Sequence, residues 1–284
     1  MTDAQPSLTI NIRGQLLDFQ TPMVMGILNV TPDSFYAESR KQTDDDIRQR
    51  VRQIRDEGAG MIDIGAYSSR SGADDVSPQE EMERLARGLQ IIRQEWPEAI
   101  ISVDTFRAEV ARRCVEEYGA DIINDISGGQ LDDAMFQTVA DLQVPYILMH
   151  MLGTPQTMQQ APHYDHLVAE MLSYFAHRIE QLRLLGVKDI ILDPGFGFAK
   201  TLEHNYQLMH HLTDFHALGL PLLVGISRKS MIYRLLDTTP QEALNGTTVL
   251  NTMALERGAH ILRVHDVRPA VEAVRIVSRT HLTV

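Results

Sequence analysis

Three runs rich in branched aliphatic residues end on groups that accept hydrogen bonds: Ile100-Ile-Ser-Val-Asp104, Asp121-Ile-Ile-Asn124 and Asp189-Ile-Ile-Leu-Asp193. Two carboxylates with an amide between them in chain order could receive an uncharged heterocycle rich in N–H groups. Such a site rejects analogues lacking those donors by a factor on the order of 10⁴, because its own polar groups would be left unpaired. A divalent cation held by the carboxylates is the competing chemistry. Arg70, Lys229, Arg263 and His265 would bring positive charge to the same region. An anionic ligand needs such charge, and arginine can grip phosphate through two parallel N–H donors. Surface ion pairing is the alternative for each of these cations taken singly.

These residues must be positioned by a repeating frame, and the chain alternates strand-like and helix-like stretches. Met23 to Leu28 reads as a strand buried on both faces that ends at Asn29, beside the polar stretch Thr31-Pro-Asp-Ser-Phe35. Further strands are predicted at Met61-Ile-Asp-Ile-Gly65, Ile100 to Asp104, Asp121 to Asn124, Val144 to His150, Asp189 to Asp193, Leu220 to Gly225 and His260 to Val264. Helices are punctuated by recognisable caps. Thr43-Asp-Asp-Asp46 opens one that Gly58 closes, and Ser77-Pro-Gln-Glu80 opens another running towards Trp96. Thr239-Pro-Gln-Glu242 repeats the capping-box pattern before a helix reaching Arg257. Longer helical stretches are expected from about Asp165 to Leu185 and from Val267 to Arg279.

Eight strand–helix units in about 260 residues match a (β/α)8 barrel of the TIM type, whose active site lies at the C-terminal ends of the strands. An open doubly wound sheet is the runner-up, since periodicity does not show closure. Residues 1–20 read as an N-terminal β-hairpin extension turning at Arg13-Gly-Gln15, and residues 21–284 as a single domain. Every expected strand end carries polar groups, with Ser69 and Arg70 following the second, Met149 closing the fifth and Ser227 following the seventh.

The 284 residues include 38 acidic and 26 basic ones, a formal charge of -12, which argues against nucleic acid as a partner. No apolar stretch approaches membrane-spanning length and the start lacks a basic, then apolar leader, so a soluble cytoplasmic protein is expected. Cys114 is the only cysteine and reads as a buried structural thiol. Asp193-Pro-Gly-Phe-Gly-Phe198 does not complete a dinucleotide fingerprint; its glycines suit a close backbone approach, with Phe198 available to cover a planar ring. His163, His204, His210 and His211 show no metal-ligand spacing.

Taken in order, these segments resemble the dihydropteroate synthase family from about Met23 to Arg279. The matching stretches are Gly26-Ile-Leu-Asn-Val-Thr-Pro-Asp-Ser-Phe35, Asp63-Ile-Gly65 with Ser68-Ser-Arg70, Ser102-Val-Asp-Thr105, Ile123-Asn-Asp125, Leu148-Met-His150, Asp193 to Phe198, Ser227-Arg-Lys229 and Arg263-Val-His-Asp266. The resemblance implies a transferase of folate biosynthesis and a sulfonamide target. It would join 4-aminobenzoate to 6-hydroxymethyl-7,8-dihydropterin diphosphate with the help of Mg²⁺, and work as a homodimer. By the same resemblance Asp104, Asn124, Asp193 and Lys229 hold the pterin, with Met149 and Phe198 lining its pocket. Asn29 binds Mg²⁺, while Arg263 and His265 take the diphosphate. Phe35, Ser69, Arg70 and Ser227 surround the aminobenzoate. The rival readings are a methyltetrahydrofolate-binding methyltransferase, a pterin-binding paralogue without turnover, and a Schiff-base role for Lys229.

Two loop stretches depart from the family pattern. Ser69-Arg-Ser71 stands where Thr-Arg-Pro is usual, and Ala37-Glu-Ser39 where a Gly-rich turn is usual. Both lie near the expected aminobenzoate site, so sulfonamide inhibition constants should differ between the wild type and Ser71→Pro. Equal constants in a steady-state inhibition assay would remove any role for Ser71.

Overall fold

The computed structural model describes residues 8–31, 43–67, 76–153 and 162–281. Eight parallel strands form one nearly closed barrel: β3 (Met23–Asn29), β4 (Met61–Gly65), β5 (Ile100–Asp104), β6 (Ile122–Asp125), β7 (Tyr146–Met149), β8 (Ile190–Asp193), β9 (Leu223–Val224) and β10 (Ile261–Val264). Neighbours run in chain order from β3 to β8, while β10 lies between β3 and β9. The ring is brought round by a parallel bridge between Leu192 and Leu222, where the Leu192 N–H donates to Pro221 O at 2.8 Å. The expected barrel is therefore present and the open sheet is excluded. The expected strand over Leu220 to Gly225 shrinks to two residues. Pro221 has no N–H to give a ladder, and beyond Val224 the chain turns into the site.

Register fixes which side chains face inward. Met25 pairs with Met61, Asp63 with Ser102, and Asp104 with Asn124. Because side chains alternate along a strand, each strand sends every second residue to the interior. At the N-terminal end these are apolar: Met25, Met61, Ile122, Ile147, Ile191, Leu223 and Ile261 form one cluster. The hairpin of β1 (Thr9–Ile12) and β2 (Gln15–Asp18) closes that end by adding Ile10, Ile12 and Phe19 to the cluster. Arg13 at the hairpin turn, in the left-handed region at φ 52, donates to Asp121 Oδ1 at 2.6 Å and ties the plug to the strand ends. The outward residues of the strands pack against the helices in a second, larger core that includes Val24, Ile62, Ile101, Ile123 and Leu262.

The helices begin where their caps dictate. Thr43 and Asp46 make a complete capping box for α1 (Asp44–Asp56), and Ser77 caps α2 (Pro78–Glu95) with a proline in the first turn. Glu80 does not return the bond to Ser77, because its carboxylate pairs with Arg84. The remaining helices are α3 (Ala108–Tyr118), α4 (Met135–Leu142), α5 (Leu167–Leu184), α6 (Leu202–His210), α7 (Ser230–Leu235), α8 (Leu244–Glu256) and α9 (Val267–His281), with a 3-10 helix at Leu212–Leu218. The expected start of α8 at Thr239 is corrected: Glu242 accepts from the hydroxyls of Thr238 and Thr239 within a turn, and the helix begins at Leu244. Cys114 is buried on α3 as expected, and burial raises its thiol far above the usual range. No helix among the described residues is long and apolar enough to cross a membrane.

At the closure of the barrel the Nδ1 atom of His260 accepts the Leu222 N–H at 3.0 Å, and its ring stands edge-on to Phe19 and His216 at 5.8 Å from each. Burial, with His216 adding to it, lowers the His260 pKa from 6.5 to about 4. A neutral imidazole is thus built into the fold. Its contribution is complete above the unfolded value near 6.5 and is lost as the pH falls towards 4. Urea titrations across that range should show a shallower acid loss of stability for His260→Gln than for the wild type.

Candidate active site

Above the apolar plug, the inward positions become polar over one strand-length step. The Arg263 guanidinium, on β10, reaches across the barrel between two carboxylates: Nε donates to Asp63 Oδ2 on β4 at 2.6 Å, and Nη2 to Asp104 Oδ2 on β5 at 2.8 Å. Asn124 on β6 donates its amide to both oxygens of Asp63 at 3.3 and 3.2 Å. Asp63 is completely buried, and its three accepted contacts, two from Asn124 and one from Arg263, compensate the loss of water. Among the described residues, the buried atoms Asn124 Oδ1 and Ser102 Oγ have no hydrogen-bond partner. Buried acceptors are rarely left so, and an amide oxygen in this position is ready for a donor carried by a ligand.

Electrostatics follow from this packing. Burial pushes the Asp104 carboxyl up to about 7; Arg263 opposes that shift and Asp63 adds to it. Burial alone would lower the Arg263 guanidinium, but Asp63 and Asp104 outweigh it and hold the cation still more firmly. Asp193, buried at the end of β8, is also raised by burial, against the pull of Lys229 and the Gly195 N–H, which donates to its Oδ1 at 2.8 Å. Lys229 stands opposite, lowered by burial to about 8, with Asp193 resisting the shift. Its Nζ donates to Phe196 O and lies 4.3 Å from the centre of the Phe198 ring, a cation–π contact. Met149, Phe198, Ile126, Met151 and Ala199 make a small apolar cluster, with Phe106 packed against it.

The turn after β8 is shaped by Gly195 and Gly197, both with positive φ. A side chain at Gly195 would strike His150 O at 2.2 Å, and one at Gly197 would press on Lys229 at 3.0 Å. Glycine at these two places lets the backbone lie directly on the neighbouring strand end and on the lysine stem.

On the other rim, Ser227 Oγ accepts the His265 N–H at 3.1 Å and lies 3.1 Å from its Nδ1. Burial, reinforced by Arg263, lowers the His265 imidazole to about 3. Arg228, in the left-handed region at φ 54, makes a two-pronged ion pair with Asp266 at 2.8 and 2.9 Å, which clamps β9 to β10 outside the site. Asn29 ends β3 beside Gly65, where no side chain intervenes; its Oδ1 lies 3.7 Å from where a Gly65 Cβ would stand.

Most of the residues expected from sequence thus gather at one end of the barrel: Asn29, Asp104, Asn124, Met149, Asp193, Phe198, Ser227, Lys229, Arg263 and His265. Phe35, Ser69 and Arg70 lie outside the described residues, as do Ser71 and Ala37 to Ser39. Asp125 is more than a strand-end cap: it is fully buried and accepts from Ser127, Gly129 and the Tyr146 hydroxyl. Sequence reasoning gave no separate role to Asp63, although a lone carboxylate inside Met61-Ile-Asp-Ile-Gly65 occupies an inward position by alternation. It also passed over Lys200, Glu81 and Arg107. Glu81 is fully buried, accepts from Thr105 Oγ1 at 2.7 Å and pairs with Arg107. No group of three or more His, Cys, Asp or Glu side chains among the described residues is arranged to hold a metal.

A parallel barrel whose mouth carries acceptors on β4, β5, β6 and β8 and cations on and after β9 and β10 has the architecture of a TIM-type enzyme with its polar site at the C-terminal ends of the strands. Residues 25–265 match the family model of pterin binding enzymes. The dihydropteroate synthase of Escherichia coli K12 is 45% identical over 270 residues, covering 94% of this chain and 95% of that protein. That of Synechocystis is 43% identical over 256 residues, 89% and 88% of the two chains. Among solved structures, Yersinia pestis dihydropteroate synthase in a sulfonamide drug complex superimposes with a TM-score of 0.92 at 42% identity, covering 97% of this chain and all of that one. Xanthomonas albilineans dihydropteroate synthase with 4-aminobenzoic acid gives 0.88 at 35% identity, over 98% and 100%. The chain belongs to the pterin-binding enzyme family. Its activity is that of a dihydropteroate synthase, a transferase.

Asp63→Ala should expose how much the site depends on its central ion pair. Leaving Arg263 and Asn124 without their shared acceptor is expected to cost about 3 kcal/mol of unfolding free energy. Chemical denaturation followed by circular dichroism measures it, and a loss below about 1 kcal/mol, the level of a surface pair, would deny Asp63 that role.

Proposed function

We propose that the gathered side chains divide the condensation of 4-aminobenzoate with 6-hydroxymethyl-7,8-dihydropterin diphosphate among themselves by charge. The carrying observation is the row of acceptors across the barrel mouth, with the buried and unpartnered Asn124 Oδ1 at its centre. The pterin ring has N–H donors that fit Asn124, Asp193 and Asp104, and Met149 and Phe198 supply apolar surface for its faces. Lys229, already beside Phe198, would turn its ammonium to the ring on binding.

The reaction breaks a carbon–oxygen bond to pyrophosphate, and charge develops on the leaving oxygens. Arg263 has five N–H donors and uses two on Asp63 and Asp104, so the guanidinium can face the departing group while remaining fixed. A cation held rigidly by two carboxylates and largely shielded from water needs little reorganisation as that charge appears. His265, held by Ser227, stands at the same rim as a hydrogen-bonding partner for the diphosphate. No covalent nucleophile is required: the amine of 4-aminobenzoate attacks the methylene carbon, and the chain's work is orientation and exclusion of water. Lys229 is accordingly a pterin ligand and not a Schiff base. Phe35, Ser69 and Arg70 are assigned to the aminobenzoate by family resemblance, with Ser227 at its edge.

The donor chemistry fits a magnesium ion carried in with the substrate. Mg²⁺ keeps several waters and is held by few protein oxygens together with substrate phosphates, and the Asn29 amide oxygen, next to the open position at Gly65, suits that demand. When bound, the ion would neutralise charge on the leaving diphosphate. The same reading includes cytoplasmic work, a single catalytic domain over residues 21–284 behind its hairpin, and a homodimer. Support for the dimer comes from Val249 on α8 and Ile276 on α9. Both are more than half exposed, and Ile276 lines a groove of about 560 Å³ together with Leu244, Thr248, Ala273 and Val277.

Purified protein mixed with the pterin diphosphate, 4-aminobenzoate and Mg²⁺ should release pyrophosphate and 7,8-dihydropteroate. Asp193→Asn is expected to weaken binding of the pterin, whereas Arg263→Ala should act mainly on the diphosphate. Product analysis by chromatography and calorimetric titration of pterin and pyrophosphate decide the matter. No turnover while both ligands bind would favour a silent paralogue, and mutants that lose each other's ligand would reverse the assignment.

A further inference from the structure

Lys200 follows the pterin-facing turn and is almost completely buried, with no carboxylate in ion-pair contact among the described residues. An ammonium taken out of water normally demands a counter-charge or a full set of acceptors. Lys200 has the second, which offsets the burial only in part: burial lowers its ammonium to about 7, against the pull of Asp193. Its Nζ donates to Gly195 O at 2.9 Å and Phe198 O at 3.0 Å, and lies 3.3 Å from Nδ1 of His150 and 3.5 Å from His150 O. Three N–H donors meet three good acceptors if Nδ1 of His150 is unprotonated. Burial, reinforced by Lys200, lowers the His150 imidazole to about 2 and keeps it neutral, and the donor-only ammonium facing Nδ1 favours the tautomer with its proton on Nε2.

The groups gripped in this way flank the proposed ring site. Gly195 donates its N–H to Asp193, Phe198 bears the ring under the Lys229 ammonium, and His150 directly follows Met149. Other bonds draw the same turn towards the body of the barrel. The Tyr164 hydroxyl donates to Ala199 O at 3.0 Å, Asn205 Oδ1 accepts the Gly197 N–H at 2.6 Å, and Asn205 Nδ2 donates to Thr201 O at 2.6 Å. Ala199 itself sits at φ 47, a left-handed conformation unfavourable for a non-glycine residue that persists only where its surroundings hold it. A strained turn pinned from the inside by a sealed cation is a device for keeping two side chains in place.

We propose that Lys200 is a positioning residue for the pterin: its ammonium, closed inside the 195–200 turn by the carbonyls of Gly195 and Phe198 and by His150, fixes Asp193 and the Phe198 ring for the substrate. Lys200 touches no reacting atom. Its effect is confined to the ring end of the site, since Arg263 and His265 are held by Asp63, Asp104 and Ser227 on other strands. The inference rests on the assignment of the pterin to Asp193 and Phe198.

The test compares Lys200→Met, Tyr164→Phe and Asp193→Asn with the wild type. Binding of 6-hydroxymethylpterin is followed by its fluorescence, binding of pyrophosphate by calorimetry, and KM and kcat are measured for each substrate. Lys200→Met should weaken the pterin by about tenfold or more, the worth of charge-assisted bonds, while pyrophosphate affinity and the KM for 4-aminobenzoate stay within about twofold. Tyr164→Phe frees only the Ala199 carbonyl, leaves every charge in place and keeps the test open if Lys200→Met does not fold. It should weaken the pterin by about threefold with the same selectivity. Unchanged pterin affinity in Asp193→Asn would undo the underlying site assignment. A loss in Asp193→Asn with none in the folded Lys200→Met, or none in Tyr164→Phe, overturns the role of the turn alone. Equal losses for pterin and pyrophosphate also overturn it, because they mark a general structural defect.

Discussion

The Arg263 guanidinium lies inside the barrel between Asp63 and Asp104, and the rest of the site is arranged around that fact. A cation at this depth has lost much of its hydration, and carboxylates from β4 and β5, on the far side of β3, replace it. Those carboxylates are then themselves constrained. Asp63 is fully buried and shared with Asn124, and Asp104 is driven towards neutrality by burial while Arg263 draws it back. One guanidinium therefore joins β4, β5 and β10 at their C-terminal ends, with β6 tied in through Asn124, and it opposes the rise that burial imposes on Asp104.

The same logic is repeated in smaller units around the rim. Arg228 and Asp266 clamp β9 to β10 on the outside, which leaves Ser227, Lys229 and His265 directed to the mouth. Arg50 on α1 donates to the main-chain carbonyls of Ile27 and His265, joining the ends of β3 and β10. Lys200 does for the turn after β8 what Arg263 does for the centre, using carbonyls instead of carboxylates. Cations placed behind the side chains of the mouth hold its strand ends together within an otherwise acidic protein.

Beneath this layer the barrel is hydrocarbon. Met25, Met61, Ile147 and Ile191 fill the closed end, and the N-terminal hairpin seals it with Ile10, Ile12 and Phe19. The dry floor excludes water from below, so the polar layer above it is electrostatically strong. The neutral His260 at the seam belongs to the floor and has no place in the chemistry; its Nδ1 supplies an acceptor where Pro221 has interrupted the ladder.

Local sequence was enough to announce most of this. Eight β-rich runs with polar ends, the Thr43 and Ser77 caps, and the order of short motifs required only alternation, helical spacing and turn chemistry, all of which act over a few residues. The motifs placed Asp104, Asn124, Asp193, Lys229 and Arg263 at one end because every parallel strand in a barrel points the same way. Tertiary structure decided what those residues touch. Asp63 and Arg263 stand 200 positions apart, and nothing in either neighbourhood states that they meet; only the stagger of the closed sheet brings them within 2.6 Å. The same holds for Lys200 and His150, and for the start of α8, where side-chain bonds in a turn overrode a valid cap signal. Periodicity reports which face a residue is on. Partners across a barrel depend on closure and register, which are properties of the whole ring.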